Sequence, residues 1–446
     1  MKRDKKYTLI VGLGKTGIAV ANFLNANGDK LIITDIDKAK KDQTGFFEKK
    51  GIKTEIGFHN TETFENAERI IVSPGIPLDI PELKNAREKN IPIIGELDTI
   101  SELIDIPIVA VTGTNGKTTV TTLIGDMLKR SGLNVFVCGN IGTPIVDYLS
   151  TDEKADIIVA EISSFQLDTS NKFKPDIAVL LNIAEDHLDR YDSFEDYVLS
   201  KWSIFKNQTG MQFAVVNAKI DNANQNTSAF NSKVLYYSDD SVIPNSKNAF
   251  INGNSISISN SVIDLSITKL KGKHNNENIA AACLATLAAN GNMEGILNGL
   301  ENFSPLPHRL EFVQSTLGID WYNDSKATNP DAVARAVECF DQDIILIMGG
   351  LDKDTDFSFL QKSFKQKIKK LIVMGDAKEK LTKAFADTCD TINADSMEDA
   401  VKKSYQNSEK GDVVLLSPGC ASFDMYESYS QRGFDFIKQV ERLGKN

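Results

Sequence analysis

The chain has 446 residues, more than a single hydrophobic core usually accommodates, so two or three domains are expected. Its formal net charge of -11 argues against a nucleic-acid partner, because proteins of that class carry a basic surface. No apolar run is long enough to cross a bilayer, and the five scattered cysteines, without a Cys-x-x-Cys pair, are typical of reduced thiols. The composition therefore predicts a soluble cytoplasmic protein with no membrane or nucleic-acid partner.

The N-terminal segment, assigned to residues 1–96, alternates short apolar runs with a helical pattern. Strands are predicted at 8–11, 31–34 and 69–72, and a helix at 18–24. This alternation is typical of a parallel sheet in a Rossmann-like domain.

A glycine-rich loop follows the first of these strands. Gly12, Gly14 and Gly17 have the spacing of a dinucleotide fingerprint, and Asp35 follows roughly twenty residues further on. This pattern leaves open an oxidoreductase that binds NAD. However, no group of residues suited to hydride transfer follows, and the residues suited to phosphate chemistry lie in another domain.

A second loop carries the strongest signal for phosphate binding. A strand at 108–111 leads into Gly113-Thr114-Asn115-Gly116-Lys117-Thr118, and a helical pattern follows. In this setting backbone N–H groups cradle phosphate, a lysine reaches the β- and γ-phosphates, and a hydroxyl binds Mg²⁺. The residue five before Gly116 is Val111, so the spacing departs from the strict motif, and a chance glycine turn is the alternative. We predict a central ATP-binding domain over 97–304 with a P-loop ATPase-type mononucleotide-binding fold.

Two further predicted strands of this domain end in polar residues. The strand 156–160 leads to Glu161, where nucleotide-binding folds place a metal-binding carboxylate, although an acid that begins a helix fits equally well. The strand 180–183 leads to Glu185-Asp186-His187-Leu188-Asp189. A lone histidine is usually structural, but a neutral imidazole beside carboxylates also suits a divalent metal.

A lysine in the next helix is expected to point into the core. Helix 193–205 begins with the capping pattern Ser193-x-x-Asp196, and Lys201 lies on its apolar stripe. The stripe consists of Phe194, Tyr197, Val198 and Phe205. Because a buried unpaired ammonium is costly, either the side chain snorkels to solvent or the amine reacts with CO₂. The resulting carbamate would act as a carboxylate toward Mg²⁺.

The rest of the chain predicts a small β element, a linker and a third domain. Residues 251–267 alternate around Asn260, which suggests a small exposed hairpin or extra sheet within the central domain. Two prolines in 304–307 indicate a stiff linker. In the third domain, 305–446, strands are predicted at 344–348, 371–374 and 413–417, as in a second Rossmann-like domain. The predicted fold class is therefore α/β with three domains.

Short motifs from the central and C-terminal segments belong together. They are Gly113 to Thr118, Gly139-Asn140-Ile141-Gly142, Glu161-Ile162-Ser163-Ser164-Phe165, Asn182 to His187, Gly272-Lys273-His274-Asn275 with Asn278, Leu306-Pro307-His308-Arg309, and Asn323-Asp324-Ser325-Lys326. This set resembles the signatures of the Mur ligases, three-domain enzymes that add amino acids to UDP-N-acetylmuramic acid in peptidoglycan synthesis. The resemblance covers essentially the whole chain.

The C-terminal motifs narrow the resemblance. Gly349-Gly350-Leu351-Asp352-Lys353, the segment 417–424 and Gln431-Arg432-Gly433 resemble the members that add D-glutamate to UDP-N-acetylmuramoyl-L-alanine. A ligase of the superfamily for another amino acid, such as a folylpolyglutamate synthetase, is the first alternative. A non-catalytic ATP-dependent switch is the second, but it leaves Lys326 to Thr328 and Lys353 unexplained.

The resemblance implies an ATP-dependent ligase that activates a carboxylate as an acyl phosphate. It implies catalytic roles for Lys117, Glu161, His187 and Lys201. One Mg²⁺ would be bound by Thr118 and Glu161, and a second by His187 and carbamylated Lys201. The implied ATP-binding residues are Gly113, Thr114, Asn115, Gly116, Lys117, Thr118, Thr119, Asn275, Asn278, Arg309 and Asp324.

The resemblance also implies binding residues for the two small-molecule substrates of a monomeric enzyme. The UDP-substrate residues are Gly14, Lys15, Thr16, Asp35, Ser73, Asn140 and His187. The D-glutamate residues are Lys326, Thr328, Lys353, Ser422 and the backbone at Tyr429. Relatives often have a Thr-Arg pair after the acid, whereas Ile36-Asp37 follows here, so the uracil contacts depart from the family pattern.

Overall fold

The computed structural model describes residues 7–187, 190–239, 248–352 and 355–443. The chain divides into two compact units. The first comprises Met1–Ile183, Arg190–Leu265 and Glu277–Glu301, and the second comprises Ala184–Asp189, Ser266–Asn276 and Asn302–Asn446. Within the described ranges, we find no helix whose length and hydropathy would let it cross a membrane. The predicted domain boundaries at 96 and 304 stay predictions.

Strands alternate with helices in the first sheet, as predicted. Within residues 7–100 the elements are β1 (Thr8–Val11), α1 (Lys15–Ala26), β2 (Leu31–Asp35), α2 (Lys41–Lys49), β3 (Lys53–Ile56), α3 (Thr61–Glu65), β4 (Arg69–Val72), α4 (Pro81–Glu88), β5 (Ile93–Ile94) and α5 (Glu96–Ile100). These five strands are parallel, in the order β3-β2-β1-β4-β5. Leu9 and Val11 pack in one core cluster and Ile10 in another, because both faces of the sheet are covered. The parallel Rossmann-like sheet is confirmed.

The central sheet contains the phosphate loop. In the described part of residues 101–302 the elements are β6 (Ile108–Thr112), α6 (Lys117–Arg130), β7 (Val135–Gly139), β8 (Ile157–Glu161), α7 (Ser164–Asp168), β9 (Ile177–Leu180), α8 (Phe194–Trp202), β10 (Phe213–Asn217), α9 (Ala223–Ser228), β11 (Lys233–Ser238), β12 (Ala249–Asn252), β13 (Ser255–Ile258), β14 (Ser261–Asp264), α10 (Lys273–Ala288) and α11 (Met293–Asn302). The strand order is β14-β13-β12-β11-β10-β9-β6-β8-β7. Strand β13 pairs antiparallel with both β12 and β14, and the other pairs are parallel.

The predicted strand at 180–183 is wrong in position. Strand β9 ends at Leu180, which pairs with Thr112 of β6. Beyond it the chain leaves the sheet, because Asn182 hydrogen-bonds the phosphate loop: the carbonyl of Asn182 accepts the Thr114 N–H at 3.0 Å. The sequence is still apolar at Leu181, but the hydrogen bond of Asn182 to the phosphate loop ends the strand pairing there.

Residues 251–267 form an antiparallel hairpin, which is one of the two predicted alternatives, but they do not form a separate sheet. Strands β12 to β14 continue the central sheet, because β12 pairs with β11 through Tyr237 and Ala249. The alternation has the predicted period of two, and it buries Ile256, Ile258 and Ile263 while Val262 stays 71% exposed. These strands are therefore a half-buried edge of the central sheet.

The third sheet is mixed. In the described part of residues 303–443 the elements are β15 (Glu311–Thr316), β16 (Ile319–Asn323), α12 (Pro330–Val337), β17 (Ile344–Gly349), α13 (Gln361–Lys367), β18 (Ile368–Met374), α14 (Lys378–Phe385), β19 (Thr391–Asn393), α15 (Met397–Gln406), β20 (Val413–Leu416) and α16 (Tyr429–Leu443). Their order is β15-β16-β20-β17-β18-β19. Strand β15 forms an antiparallel hairpin with β16, and every other pair in this sheet is parallel. The three predicted strands are confirmed, and neither a helix nor a strand lies within 304–307.

A buried carboxylate joins the first two sheets. Glu96, the first residue of α5, accepts the Val146 N–H at 3.0 Å and the Gln166 side-chain amide at 3.5 Å. Burial raises the pKa of Glu96 to about 7, although these hydrogen bonds act in the opposite direction. Glu96 therefore links the first and second sheets within one compact unit.

Candidate active site

The phosphate loop requires glycine at two positions. Gly113 has a φ of 152°, and a Cβ there would lie 2.9 Å from the Leu181 Cβ. Gly116 has a φ of 85°, and a Cβ there would overlap the Asn278 side chain. Backbone of this shape exposes N–H groups at the start of helix α6. The glycine spacing read from the sequence is thus explained by backbone conformation and close packing.

Two lysine amines converge on one carbonyl of this loop. Lys117 Nζ donates to the carbonyls of Gly113 and Thr114, each at 2.8 Å. Lys201 Nζ donates to the same Gly113 carbonyl at 2.9 Å and lies 4.5 Å from the centroid of the Tyr197 ring. Lys201 is only 1% exposed, so its predicted inward direction is confirmed and the snorkelling alternative is wrong.

Side chains outside the motif hold the loop in place. Asn182 Oδ1 accepts the Asn115 N–H at 2.8 Å, and Asn182 Nδ2 donates to the Asn115 carbonyl at 3.0 Å. The Tyr197 hydroxyl is hydrogen-bonded to the Thr114 hydroxyl at 3.0 Å. Sequence reasoning missed both roles, although Asn182 and Tyr197 lie in segments that it had selected. In the first turn of α6, Thr118 is half-buried and Thr119 is buried.

Glu161 occupies the carboxyl end of strand β8, next to Asn140. Its Oε1 accepts the Asn140 side-chain amide at 2.9 Å, and its carbonyl accepts the Asn140 N–H at 2.8 Å. Glu161 is 2% exposed, and among the described residues its Oε2 has no hydrogen-bond partner. The reading of Glu161 as a helix-initiating acid is wrong, because Ser163 caps helix α7. A buried carboxylate oxygen of this kind calls for a cation.

The N-terminal glycine-rich loop is held by an acid. Both carboxylate oxygens of Asp35 accept backbone N–H groups, from Leu13 at 2.6 Å and from Asp37 at 2.8 Å. Ser73 Oγ donates to the Gly12 carbonyl at 2.9 Å. A Cβ on Gly17 would overlap that same carbonyl. The predicted UDP-substrate residues Asp35 and Ser73 therefore shape the loop.

The remaining predicted residues of this loop face solvent. Gly14 and Lys15 are exposed and Thr16 is half-buried. Lys15 is the first residue of helix α1, so the positive end of the helix dipole lies at this loop.

Arg190 links two segments of the first unit. Its guanidinium donates to the carbonyls of Gly75 at 3.0 Å and Ile76 at 3.2 Å, and it lies 4.7 Å from the centroid of the Phe165 ring. Phe165 belongs to the motif that begins at Glu161. The sequence carried no signal for this contact, since a single arginine after an acidic segment is usually a solvated surface residue.

In the second unit, His187 has an unusual backbone conformation. Its φ is 58°, in the left-handed region that non-glycine residues rarely adopt. Asp186 Oδ1 accepts the His187 N–H at 2.9 Å, and Asp186 Oδ2 accepts the side-chain amide of Asn329 at 3.2 Å. Leu188 and Asp189, the end of the predicted metal-binding segment, lie outside the described residues.

Asp324 is the most deeply buried of the predicted ATP-binding residues of this unit. It accepts the Leu310 N–H at 3.2 Å and the Ser417 hydroxyl at 3.0 Å. Burial raises the pKa of Asp324 to about 7, against the effect of these hydrogen bonds and of the Arg309 charge. Asn275, at the start of helix α10, donates to the Lys271 carbonyl at 2.6 Å.

Lys326 and Tyr429, two of the predicted D-glutamate residues of this unit, lie against each other. Lys326 Nζ lies 3.8 Å from the centroid of the Tyr429 ring. Burial raises the pKa of the Tyr429 phenol, but Lys326, Ser430 and Arg309 together lower it by more, and the pKa lies below its ordinary value. Ser422 is buried and Thr328 is exposed, while Lys353 lies outside the described residues.

A buried arginine holds together the loops that carry these residues. Arg432 is 2% exposed and donates to the Ser325 hydroxyl at 3.0 Å and to the Ser325 carbonyl at 2.9 Å. It also donates to the carbonyls of Cys420 at 3.1 Å and Gly349 at 3.4 Å. Burial lowers the pKa of Arg432 to about 10, which leaves it charged at neutral pH. Sequence reasoning noted Arg432 in a motif but gave it no role.

Three family models match successive parts of the chain. They are described as the Mur ligase MurD-like N-terminal domain (residues 6–95), the Mur ligase middle domain (residues 111–286) and the Mur ligase glutamate ligase domain (residues 308–420). The chain belongs to the Mur ligase family, and its middle domain is the ATP-binding domain of that family. This assignment decides between the ligase and the NAD-dependent oxidoreductase in favour of the ligase.

Full-length relatives carry a more specific name. A protein of Desulfosudis oleivorans named UDP-N-acetylmuramoylalanine–D-glutamate ligase is 42% identical over 99% of this chain and 98% of its own. One of the same name from Desulfatibacillum aliphaticivorans is 43% identical over 98% of each chain.

Solved structures support the same fold. A pseudomurein peptide ligase type C from Methanothermus fervidus has a TM-score of 0.62 at 20% identity, with 98% of this chain and 100% of that chain covered. The UDP-N-acetylmuramate-alanine ligase MurC of Thermotoga maritima has a TM-score of 0.60 at 19% identity, with 98% and 99% covered. At these identities the likeness concerns the fold alone, and the predicted three-part α/β architecture is confirmed.

Proposed function

We propose that the chain is an ATP-dependent ligase that joins D-glutamate to UDP-N-acetylmuramoyl-L-alanine in the synthesis of peptidoglycan precursors. The observation that carries this proposal is the similarity over 99% of the chain to the D-glutamate ligase of Desulfosudis oleivorans. The reaction takes place in the cytoplasm and the enzyme is a monomer; light scattering of the purified protein tests the second statement. The three domains extend over 1–96, 97–304 and 305–446.

In the first unit, the phosphate loop binds ATP. Helix α6 presents its N-terminal N–H groups to the phosphates, together with residues 113 to 119 and Asn278. The Lys117 amine already lies against loop carbonyls, 2.8 Å from each of two oxygens, so it has only to exchange these for phosphate oxygens. It then neutralises charge that otherwise keeps a substrate carboxylate from attacking the γ-phosphate. In the second unit, Asn275, Arg309 and Asp324 contribute to ATP binding.

Thr118 and Glu161 would hold one Mg²⁺. The buried Glu161 Oε2, without a hydrogen-bond partner among the described residues, fits a cation ligand. The described ranges contain no group of three His, Cys, Asp or Glu side chains placed to hold a metal ion. Magnesium commonly keeps few protein ligands and takes phosphate oxygens and waters as the others. When bound, it neutralises the charge that develops on the transferred phosphate. A second Mg²⁺ bound by His187 and Lys201 stays a prediction from the sequence, because these residues belong to different compact units.

Lys201 is proposed to carry a carbamate. Its side chain is 1% exposed and ends at the Gly113 carbonyl, inside the loop that binds ATP. A carbamate there would place a negative oxygen at the phosphate loop, as a ligand for the second Mg²⁺ that the sequence predicts.

Chemical rescue tests the carbamate. Lys201→Ala is expected to lose activity, and added bicarbonate or a short carboxylate is expected to restore part of it. Lys206→Ala is the matched control, because Lys206 lies nearby on the chain with its amine on the Ser170 carbonyl at 2.9 Å. Turnover of Lys201→Ala equal to that of the unmodified sequence would refute the role.

The two organic substrates bind at the remaining predicted residues. Gly14, Lys15, Thr16, Asp35, Ser73, Asn140 and His187 bind the UDP substrate. Lys326, Thr328, Lys353, Ser422 and the Tyr429 backbone bind the two carboxylates of D-glutamate, so that its amine attacks the acyl phosphate. An amide forms and inorganic phosphate leaves.

A substrate-dependence assay tests the whole proposal. Phosphate release from ATP is measured with UDP-N-acetylmuramoyl-L-alanine and, in turn, D-glutamate, L-glutamate, L-lysine and L-alanine. Release above background is expected with D-glutamate alone. Equal or higher release with another amino acid would mean that the chain is a ligase of different specificity.

A further inference from the structure

The segment that carries His187 belongs to the second unit, although the chain on either side of it belongs to the first. Ala184–Asp189 lies in the same unit as Ser266–Asn276 and Asn302–Asn446. A short segment that leaves its neighbours in this way needs specific contacts to hold its position. A hydrogen bond of 3.2 Å from Asn329 Nδ2 to Asp186 Oδ2 is such a contact, because it ties the segment to the start of helix α12.

Asn329 is fixed in orientation by a second role. Its Oδ1 accepts the Ala332 N–H at 2.9 Å and thereby caps helix α12, which begins at Pro330. Because only the carbonyl end of the amide can accept this bond, its NH₂ end is directed at Asp186. Asn329 is 5% exposed, so water competes weakly for this NH₂ group.

Asp186, which Asn329 holds, in turn contacts the backbone and the imidazole of His187. Its Oδ1 accepts the His187 N–H at 2.9 Å, while its Oδ2, which Asn329 binds, lies 3.8 Å from the His187 Nε2. The φ of 58° at His187 is a conformation that only surrounding contacts make stable for a non-glycine residue. Because Asn329 holds Oδ2 of Asp186, the other oxygen, Oδ1, is fixed in position to accept the His187 N–H.

We infer that Asn329 is a positioning residue, which holds Asp186 and thereby the backbone and imidazole of His187. This inference rests on the proposed function, which gives His187 its role in binding the UDP substrate. Asn329 directly follows Thr328, so one short segment both carries a proposed D-glutamate residue and anchors His187. Through this hydrogen bond, the imidazole and the D-glutamate residues Lys326 and Thr328 keep a fixed arrangement within one unit.

An exchange of the two partners tests the inference. Asn329→Asp keeps an oxygen cap for helix α12 but places two carboxylates together, and Asp186→Asn removes the charged acceptor. Asn329→Asp combined with Asp186→Asn restores a donor and an acceptor in reversed positions. Asn60→Asp is the matched control, since Asn60 caps helix α3 through the Glu62 N–H at 3.1 Å.

Two measurements are made on each full-length variant. Hydrogen exchange of residues 184–187 is expected to become about tenfold faster in Asn329→Asp, because a hydrogen bond to a charged group is lost. The kcat is expected to fall about tenfold to a hundredfold with little change in the KM for ATP. The double variant should recover both values to within about threefold, and Asn60→Asp should change neither.

The exchange measurement separates this inference from the proposed function. If the unaltered chain does not use D-glutamate, the proposed function fails, yet hydrogen exchange still reports whether Asn329 anchors the segment. Unchanged exchange and turnover in Asn329→Asp would overturn the inference. A double variant that recovers neither value would overturn it as well, because the single losses would then come from structural damage.

Discussion

The two glycine-rich loops of the first unit have the same position in their sheets but different partners. Each follows the first parallel strand of its sheet and ends where a helix begins with a lysine, Lys15 in helix α1 and Lys117 in helix α6. In the first loop an acid, Asp35, accepts the Leu13 N–H at 2.6 Å. In the second an amide, Asn182, accepts the Asn115 N–H at 2.8 Å, and lysine amines lie on the Gly113 carbonyl.

This difference shows that the partner of a glycine-rich loop is more informative than the loop itself. A carboxylate that takes up backbone N–H groups lowers the positive potential at the helix start, whereas the Lys117 amine raises it. The second loop is therefore suited to the densely charged triphosphate of ATP, and the first to a less demanding anion such as the diphosphate of the UDP substrate.

The largest expected effect contrasts the two lysines that begin the helices. Lys117→Met should reduce kcat at least about 10²–10³-fold, because a positioned charge that stabilises the transition state is lost. Lys15→Met should raise the KM for the UDP substrate less than about tenfold, since Lys15 is exposed. Steady-state kinetics with each substrate varied would measure both. An equal loss of kcat in the two variants would show that the two loops do not differ in function.

The next effect concerns glycines of the first loop. Gly17→Ala should lower the free energy of unfolding by about 3 kcal/mol, because its methyl would overlap the Gly12 carbonyl. Gly14→Ala should change it by less than about 0.5 kcal/mol, since no atom in the described part of the chain lies within 4 Å of a Cβ there. Urea unfolding measures both. A Gly17→Ala protein as stable as Gly14→Ala would contradict the packing of helix α1 against the loop.

The carboxylate that links the two sheets should make stability depend on pH. The pKa of Glu96 is raised from 4.5 to about 7, so the folded protein holds a proton that the unfolded chain releases between these values. Its stabilising contribution is complete below about pH 4.5 and is lost as the pH rises through about 7. Glu96→Gln keeps a neutral side chain at every pH. Its free energy of unfolding should therefore exceed that of the unmodified protein, by up to roughly 3 kcal/mol as the pH rises between these limits.

Urea unfolding of both proteins across this pH range is the measurement. Glu55→Gln is a suitable control, because Glu55 is also buried but lies in strand β3, away from the second sheet. A constant difference between Glu96→Gln and the unmodified protein at all pH values would show that Glu96 stays ionised when buried.

The smallest effect separates the two loop partners. Asn182→Asp loses the donor to the Asn115 carbonyl and should raise the KM for ATP about tenfold, while the KM for the UDP substrate stays constant. Asp35→Asn keeps one acceptor for two N–H groups and should do the reverse. Parallel changes in both constants would mean that the loops do not act independently.

Local patterns predicted much of this fold because their information is local. Strand β1 contains three consecutive apolar residues that end at a glycine-rich loop, and its bounds are as predicted. The inward direction of Lys201 follows from helical spacing alone, and so it was predictable. The starts of helices α8, α12 and α15 carry Ser or Asn caps that can be read directly from the sequence.

Long-range partners were not predictable in the same way. Strand β9 ends at Leu180 because Asn182 binds a loop 67 residues earlier, and no local pattern records that contact. Strand β12 pairs with β11 through Tyr237 and Ala249, which are twelve residues apart in the sequence, and no local pattern records which strand β12 will join. The site was likewise predictable as motifs, but the Gly113 carbonyl shared by two lysines and the Asn329 contact come from side chains that meet only in three dimensions.

The buried Arg432 has a consequence for how the second unit is completed during synthesis. Its guanidinium satisfies the Ser325 hydroxyl and carbonyl, and a ribosome adds Arg432 107 residues after Ser325. Until then the Ser325, Gly349 and Cys420 carbonyls lack this donor, and unsatisfied buried carbonyls are costly. The loops that carry the D-glutamate residues therefore reach their final arrangement late, after helix α16 has left the ribosome and docked.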